Sequence, residues 1–88
     1  MSLILTEFHG SWCIASQAMR PLLGRLSKEY RGTVHFTYVN VDQMKSAYSA
    51  YQIQGCPTFI LFDGDKELER RVGAQSEKQL REMIDKWI

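Results

Sequence analysis

A long helical pattern between two strand-like runs is the feature that most constrains the fold of this 88-residue chain. Residues 4–9 form a short apolar run, apolar residues recur at helical spacing over residues 15–30, and residues 34–41 are rich in β-branched and aromatic side chains. A strand–helix–strand unit of this kind places its two strands parallel through a right-handed crossover. Because residues 34–41 are apolar on both faces, we expect an interior strand that is covered on two sides. Pro21 falls inside the helical pattern and predicts a kink there.

The middle of the chain predicts a short helix followed by a hairpin. Asp42 is placed to cap the short helix. Residues 58–62 form a continuous apolar run, which is typical of another interior strand. The dipeptide Asp63-Gly64 predicts a hairpin turn, and the turn leads into an edge-like strand at residues 66–72.

The chain ends in a predicted amphipathic helix. Ser76 and Gln79 have the spacing of a capping box, and apolar side chains follow at helical spacing. The complete order is β-α-β-α-β-β-α, which predicts an α/β fold with a mixed four-stranded sheet and helices on both faces. We expect residues 1–88 to form one domain.

Composition and charge exclude several classes of function. The net charge is +1, and the basic residues are scattered among acidic ones, so neither a nucleic-acid surface nor an anionic membrane surface is expected. No apolar run approaches the roughly 20 residues of a membrane span. The first residues lack the pattern of a signal peptide, so a cytoplasmic location is expected; a missing leader would make the protein secreted or periplasmic. No Cys/His set has zinc-ligand spacing and no phosphate loop is present, so neither a metal nor a cofactor is expected.

Cys13 stands at the transition from the first strand to the long helical pattern. A sulfur at the first turn of a helix faces unpaired backbone N–H groups, which favour the thiolate over the thiol. We therefore expect a partly exposed, reactive thiol that takes part in thiol–disulfide exchange. The alternative is a buried structural cysteine. Three residues later, where a dithiol enzyme carries its second sulfur, the chain has Ser16.

These features together resemble the thioredoxin family, and the resemblance covers nearly the whole chain. It rests on five motifs in family order and spacing: Trp12-Cys13-Ile14-Ala15-Ser16, Pro21, Asn40-Val41-Asp42, Gly55-Cys56-Pro57-Thr58 and Val72-Gly73-Ala74. The family's usual N-terminal strand and helix are missing, which makes this a minimal version of the fold. Ser16 and Cys56 are the departures that matter chemically.

The resemblance implies roles for several residues. Glu7 lies where the family places a buried acid, and its burial is expected to raise its pKa and suit it to move protons; the alternative is a strand-end residue that points to water. Pro57 is implied to be a cis proline. Trp12, Pro57, Gly73 and Ala74 are implied to form a shallow apolar groove around the reactive sulfur, where an extended substrate pairs with the Pro57 backbone.

Position 16 decides how a mixed disulfide is released. Ser16 cannot resolve it, although its hydroxyl is able to donate a hydrogen bond to the Cys13 thiolate. Ser16 is either native or a substitution introduced to trap complexes. Cys56 is either a small apolar filler or a substitute resolving thiol, and a Cys13–Cys56 bridge would close a loop of about 44 residues. Such a bridge requires Cα atoms within about 7 Å.

The sequence predicts a thiol–disulfide oxidoreductase or isomerase that acts through Cys13, by a monothiol route because of Ser16. Release then requires another substrate thiol, glutathione or Cys56. The expected partners are proteins bearing thiols or disulfides, with a thioredoxin reductase or glutathione as electron source, and the expected state is a monomer. The alternative is a non-catalytic binding module for client peptides or cysteines. Glutaredoxin-like chemistry is disfavoured because a tryptophan precedes the cysteine.

Overall fold

Strands and helices follow one another in the predicted order in the computed structural model, which describes residues 2–88. The long helical pattern forms two helices, so the structure has eight elements where the sequence predicted seven. Their bounds are β1 (Leu3–His9), α1 (Ile14–Ala18), α2 (Arg20–Glu29), β2 (Val34–Asn40), α3 (Lys45–Ala50), β3 (Thr58–Asp63), β4 (Lys66–Val72) and α4 (Glu77–Asp85).

The division of the long helix confirms the predicted kink and shifts it slightly. The break falls at Met19, two residues before Pro21, and Pro21 occupies the first turn of α2. A proline is tolerated in a first turn because its missing N–H has no intrahelical acceptor there. The break therefore separates the short helix that follows Cys13 from the longer helix that packs on the sheet.

The sheet has four strands in the order β2-β1-β3-β4. β1 pairs parallel with β2 and antiparallel with β3, and β3 pairs antiparallel with β4. This arrangement confirms the predicted mixed sheet, including the parallel pairing of β1 with β2 and the hairpin at Asp63-Gly64. Gly64 has a φ of 61°, a conformation that glycine adopts without a Cβ clash.

The prediction that β2 is an interior strand is wrong. Among residues 2–88, β2 forms one edge of the sheet and pairs with β1 alone, and most of its side chains are partly or fully exposed. Its composition is that of a covered strand, but strand order depends on long-range pairing that composition does not encode. An apolar strand therefore lies at an edge of the sheet that residues 2–88 form.

Two apolar clusters cover the two faces of the sheet. The larger cluster joins one face to α2 and α4 through buried side chains such as Leu26 and Ile84. The smaller cluster joins the other face to α3 through Ala47 and to the following loop through Ile53. Helices on both faces thus bury the central strands β1 and β3, and the ends of these strands carry the residues predicted to form the site.

The capping predictions had different outcomes. The Ser76–Gln79 capping box at the start of α4 is confirmed, since each side chain bonds the other residue's backbone N–H. The prediction that Asp42 caps α3 is wrong, because the N-cap of α3 is Met44 and carries no side-chain cap. Asp42 instead accepts hydrogen bonds from Ser11, as described below.

Candidate active site

Cys13 and Cys56 are joined by a disulfide bond in the structure. Cys13 is the N-cap residue of α1, and Cys56 lies in the loop between α3 and β3. The two Cα atoms are 6.2 Å apart, within the range that a disulfide spans. The fold therefore brings a second sulfur to Cys13 from a position 43 residues away, which is the alternative that the sequence left open for Cys56.

Burial of Cys13 differs from the expectation. The residue is only 4% exposed, whereas the sequence predicted a partly exposed sulfur. The physical reason is the bond itself, which turns the side chain toward the loop of Cys56 instead of toward solvent. Cys56 is partly exposed, so the bonded pair meets solvent mainly on that side.

The loop of Cys56 is fixed by its neighbours in sequence and in space. The Cys56–Pro57 peptide bond is cis, as the family resemblance implied. The Thr58 hydroxyl donates to the Gly55 carbonyl at 2.6 Å, and the Gly73 N–H donates to the Pro57 carbonyl at 2.7 Å. Gly73 has a φ of 93°, which favours glycine at this contact.

The loop that carries Cys13 is fixed by Asp42. The Asp42 carboxylate accepts from the Ser11 hydroxyl at 2.5 Å and from the Ser11 backbone N–H at 2.9 Å. These two hydrogen bonds hold the pKa of Asp42 below its ordinary value. They tie the segment before Cys13 to the residues that follow β2. The sequence pattern did not reveal this role, because the two partners lie 31 residues apart.

A buried carboxylate lies beneath α1. Glu7 on β1 is 2% exposed, and the Ser16 hydroxyl donates a hydrogen bond to its Oε2 atom at 3.0 Å. Burial raises the pKa of Glu7 above its ordinary value of 4.5, while the hydrogen bond from Ser16 and the charge of Arg20 act in the opposite direction. Glu7 is therefore buried, as predicted, and does not point to water. The hydroxyl of Ser16 donates to Glu7 and not to Cys13, so the expected hydrogen bond to the sulfur is not formed in this bonded state.

Arg20 is a site residue that the sequence reasoning missed. Its Nη2 atom lies 3.2 Å from Oε1 of Glu7, an ion-pair contact without hydrogen-bond geometry. Oε1 is consequently a buried oxygen without a hydrogen-bond donor among residues 2–88. The Arg20 guanidinium also lies 5.0 Å from the ring centroid of Tyr38 on β2, within cation–π range. The signal was available, since Arg20 follows Ser16 by four residues, the spacing of neighbours on one helix face.

The four predicted substrate-contacting residues are only partly brought together. Pro57 and Gly73 are hydrogen-bonded neighbours, and Ala74 is exposed beside Gly73. Trp12 is 62% exposed and lines a separate surface groove of about 310 Å³. The other residues lining this groove are Val41, Asp42, Lys45 and Tyr48.

Neither a metal-binding cluster nor a membrane-spanning helix is found in the described part of the chain. No cluster of three or more His, Cys, Asp or Glu side chains that could hold a metal ion occurs among residues 2–88. Within the same part of the chain, no helix has the length and hydrophobicity needed to cross a membrane.

Comparison with known proteins identifies close similarity along the whole chain. The sequence model of the Thioredoxin family matches residues 1–86. A thioredoxin of Buchnera aphidicola is 32% identical over 87 residues, which cover 99% of this chain and 81% of that protein. The chloroplastic M-type thioredoxin of Zea mays is 33% identical over 97% of this chain, and the chain spans 51% of its length. The solved structure of Fasciola hepatica thioredoxin superimposes with a TM-score of 0.89 at 35% identity, covering 97% of this chain and 80% of that one.

Proposed function

The chain belongs to the thioredoxin family of thiol–disulfide oxidoreductases, and we propose that it exchanges disulfides with protein substrates through the pair Cys13 and Cys56. Cys13 is the attacking thiol in this scheme, and Cys56 performs the resolving step that Ser16 cannot perform. The bonded contact between the two cysteines is the observation that carries the proposal.

Attack by Cys13 is the first step. In the reduced protein the Cys13 thiolate attacks one sulfur of a substrate disulfide, the substrate S–S bond breaks, and one substrate thiolate leaves. The position of Cys13 at the start of α1 supports this role, because the first-turn N–H groups of a helix have no intrahelical acceptor and stabilise a thiolate. The product is a mixed disulfide between Cys13 and the substrate.

Resolution by Cys56 is the second step. The Cys56 thiolate attacks the Cys13 sulfur, the bond between Cys13 and the substrate breaks, and the second substrate thiolate leaves. Two electrons have then passed to the substrate, and the protein holds the Cys13–Cys56 disulfide. A thiol donor, supplied by glutathione or by a thioredoxin reductase, returns the pair to the reduced form.

Glu7 is the candidate for moving protons near this pair. Its raised pKa keeps a fraction of the carboxyl group protonated closer to neutral pH, which is the condition for a general acid–base group. Ser16 and Arg20 hold the carboxyl group in place from α1 and α2. We propose that Glu7 exchanges protons with the thiols during reduction of the pair.

Substrates are expected to bind beside Cys13 and Cys56. Trp12 and Ile14 flank Cys13 in sequence and are strongly exposed, at 62% and 80%. Apolar side chains left in solvent next to a reactive sulfur favour contact with a polypeptide substrate. The loop of Pro57 supplies the neighbouring backbone, and Gly73 leaves space beside it.

Catalysed reduction of a peptide disulfide, with dithiothreitol as electron donor, tests this function. Wild type is expected to accelerate the reaction, Cys13→Ser to reduce the rate to that of the uncatalysed reaction, and Cys56→Ser to accumulate the mixed disulfide and turn over only as fast as dithiothreitol releases it. Ser49→Ala, an exposed substitution on α3, is the matched control and should retain the wild-type rate. Absence of acceleration by wild type would favour the alternative, a binding module without catalysis.

A further inference from the structure

The two bonded cysteines differ in their exposure to solvent. Cys13 is only 4% exposed, whereas Cys56 is partly exposed. Thiol–disulfide exchange begins when a thiolate reaches one of the two bonded sulfurs, so access helps to decide which sulfur is attacked. In the oxidised protein, a thiol that arrives from solution therefore meets the bond from the side of Cys56.

The chain segments on the Cys56 side carry no charge. The Gly73 N–H donates to the Pro57 carbonyl, so the segment after β4 meets the loop before β3 at this point. Neither residues 52–58 nor residues 72–76 contain an Asp, Glu, Lys or Arg. An attacking thiolate is an anion, and it meets no acidic side chain in these two segments that would repel it.

The start of α1 favours Cys13 as the sulfur that leaves. Cys13 is the N-cap residue of α1, and the backbone N–H groups of residues 14–16 have no backbone acceptor among residues 2–88. When the disulfide breaks and Cys13 leaves, its sulfur becomes a thiolate, which these N–H groups stabilise. Thiols with a better stabilised thiolate leave faster in disulfide exchange.

The loop of Cys56 does not offer comparable donors. The next residue, Pro57, has no N–H group. Two other donors of this region are already used, since the Thr58 hydroxyl bonds the Gly55 carbonyl and the Gly73 N–H bonds the Pro57 carbonyl. Cys56 is therefore the poorer leaving group of the two cysteines, and attack that expels Cys13 is favoured over attack that expels Cys56.

We propose that the thiol donor attacks Cys56, and not Cys13, when it reduces the Cys13–Cys56 bond. This inference rests on the proposed redox function and assigns the regenerating half of the cycle to the second cysteine. Solvent access and leaving-group ability are separate observations, and both select the same sulfur. Protein substrates then exchange at Cys13, whereas the donor exchanges at Cys56.

The regenerating reaction has two steps when glutathione is the donor. The thiolate of one glutathione attacks the Cys56 sulfur, the Cys13–Cys56 bond breaks, and Cys13 leaves as a thiolate. The thiolate of a second glutathione attacks the glutathione sulfur of this mixed disulfide, and Cys56 leaves as a thiolate. The two glutathione molecules lose two electrons and become glutathione disulfide, and the protein gains the two electrons as two thiols after proton uptake from water.

Trapping of the first adduct identifies the sulfur that is attacked. Oxidised wild type is mixed with glutathione and quenched with acid after a series of short times, and its free thiols are labelled with N-ethylmaleimide. Trypsin separates the two cysteines for mass spectrometry because basic residues such as Arg31 lie between them. At the earliest times, glutathione on Cys56 with maleimide on Cys13 should exceed the reverse labelling by about threefold or more. Equal labelling, or more glutathione on Cys13, overturns the proposal.

Reclosure of the disulfide sets the yield of this adduct. The Cys13 thiolate displaces glutathione from Cys56 and restores the original bond, at a rate that does not depend on glutathione. Attack by glutathione does depend on its concentration, so a concentration series raises the trapped fraction. Cys13→Ser and Cys56→Ser, each loaded with glutathione disulfide, supply the two reference peptides.

Thiolate absorbance of the same two variants tests the leaving groups separately. Each variant has a single cysteine, so its titration reports one thiol. The Cys13 thiol of Cys56→Ser should ionise about one pH unit or more below the Cys56 thiol of Cys13→Ser. Ionisation of Cys56 at the same pH as Cys13, or at a lower one, overturns the proposal.

Failure of this inference is distinguishable from failure of the proposed function. A protein that accelerates peptide-disulfide reduction but takes up glutathione on Cys13 keeps the function and overturns the inference. A protein that takes up glutathione on Cys56 but does not accelerate peptide-disulfide reduction supports the order of attack and overturns the function. Both measurements are therefore made on the same preparation of wild type.

Discussion

Ser16 donates its hydroxyl hydrogen to the buried Oε2 atom of Glu7 at 3.0 Å. Ser16 occupies the position where a dithiol enzyme has its second cysteine, and its side chain bonds Glu7 instead of the Cys13 sulfur. The sulfur bonded to Cys13 belongs instead to Cys56, which the fold brings to Cys13 from the loop before β3. In the proposed mechanism, the two functions that position 16 would combine in a dithiol pair are divided between Ser16 and Cys56.

Removing the Ser16 hydroxyl should destabilise the protein. Ser16→Ala leaves a buried carboxylate oxygen without its donor, which costs about 1 to 3 kcal/mol in the free energy of unfolding. Urea denaturation measures this difference. Ser27→Ala is the matched control, because Ser27 is partly exposed and bonds only a carbonyl of its own helix, and its effect should stay within about 0.5 kcal/mol. Equal effects of the two substitutions would contradict the assigned role of Ser16.

Ionisation of Glu7 should weaken the folded state as pH rises. Its folded-state pKa is raised, so its favourable contribution is fully present below the ordinary value of 4.5 and is lost as pH increases through the raised pKa. Glu7→Gln cannot ionise, and its free energy of unfolding relative to wild type should therefore increase from about pH 4 to about pH 8. Denaturation series at several pH values measure the trend.

Glu77 supplies the control of opposite sign for this experiment. Hydrogen bonds from Arg81 and Arg25 lower the pKa of Glu77, so its contribution is present above the ordinary value and is lost as pH falls through the lowered pKa. Glu77→Gln should therefore lose stability relative to wild type as pH rises. If Glu7→Gln followed the same direction as Glu77→Gln, burial would not be the dominant influence on Glu7.

Reduction of the Cys13–Cys56 bond should lower stability markedly. The bond spans a sequence separation of 43 residues, and closing a loop of that length restricts the unfolded chain by about 4 kcal/mol in the loop-entropy account. Denaturation of the wild type with and without reductant measures the difference. Cys56→Ala cannot form the bond and should unfold at the same denaturant concentration in both buffers. The oxidised state of the wild type is first verified by mass. An equal free energy of unfolding with and without reductant would then contradict this expectation.

The missing side chain at Gly10 leaves room for the Trp12 indole, and we expect substrate turnover to depend on that room. A Cβ atom added to Gly10 would lie 2.5 Å from Nε1 of Trp12, so Gly10→Ala forces the indole to move. Because Trp12 is mostly exposed, we expect a lower kcat/KM for peptide disulfides and a change in stability of less than about 1 kcal/mol. Gly24→Ala is the control: a Cβ there meets nothing within 4 Å, so it should stabilise α2 by about 0.5 to 1 kcal/mol and retain wild-type kinetics. Equal kinetics for the two variants would contradict a role for Trp12.

Local patterns predicted those features that depend on neighbours in sequence. The Ser76–Gln79 capping box and the Asp63-Gly64 turn follow from residues a few positions apart, and both are present. The interior placement of β2 failed because the order of strands is decided by pairing between distant segments. The cap assigned to Asp42 failed for a similar reason, since Ser11 competes for the carboxylate from 31 residues away.

Prediction of the active site from the sequence had the same limit. The family resemblance pointed to Cys13, Glu7 and Pro57, and the structure places Glu7 within β1, Cys13 at the start of α1 and Pro57 just before β3. It did not decide between a filler and a resolving thiol at Cys56, because that choice depends on a distance in space. The direction of the Ser16 hydroxyl and the reach of Arg20 to Glu7 likewise require coordinates.

Trapping of the mixed disulfide tests the pairing of Cys13 with Cys56 most directly. Reduced wild type and reduced Cys56→Ser are each mixed with a peptide disulfide, quenched with acid, and analysed by intact and peptide mass spectrometry. Wild type should lose the adduct and end as oxidised protein with the Cys13–Cys56 bond, whereas Cys56→Ser should accumulate the peptide on Cys13. Equal accumulation in both proteins would contradict the account, because Cys56 would then have no part in release.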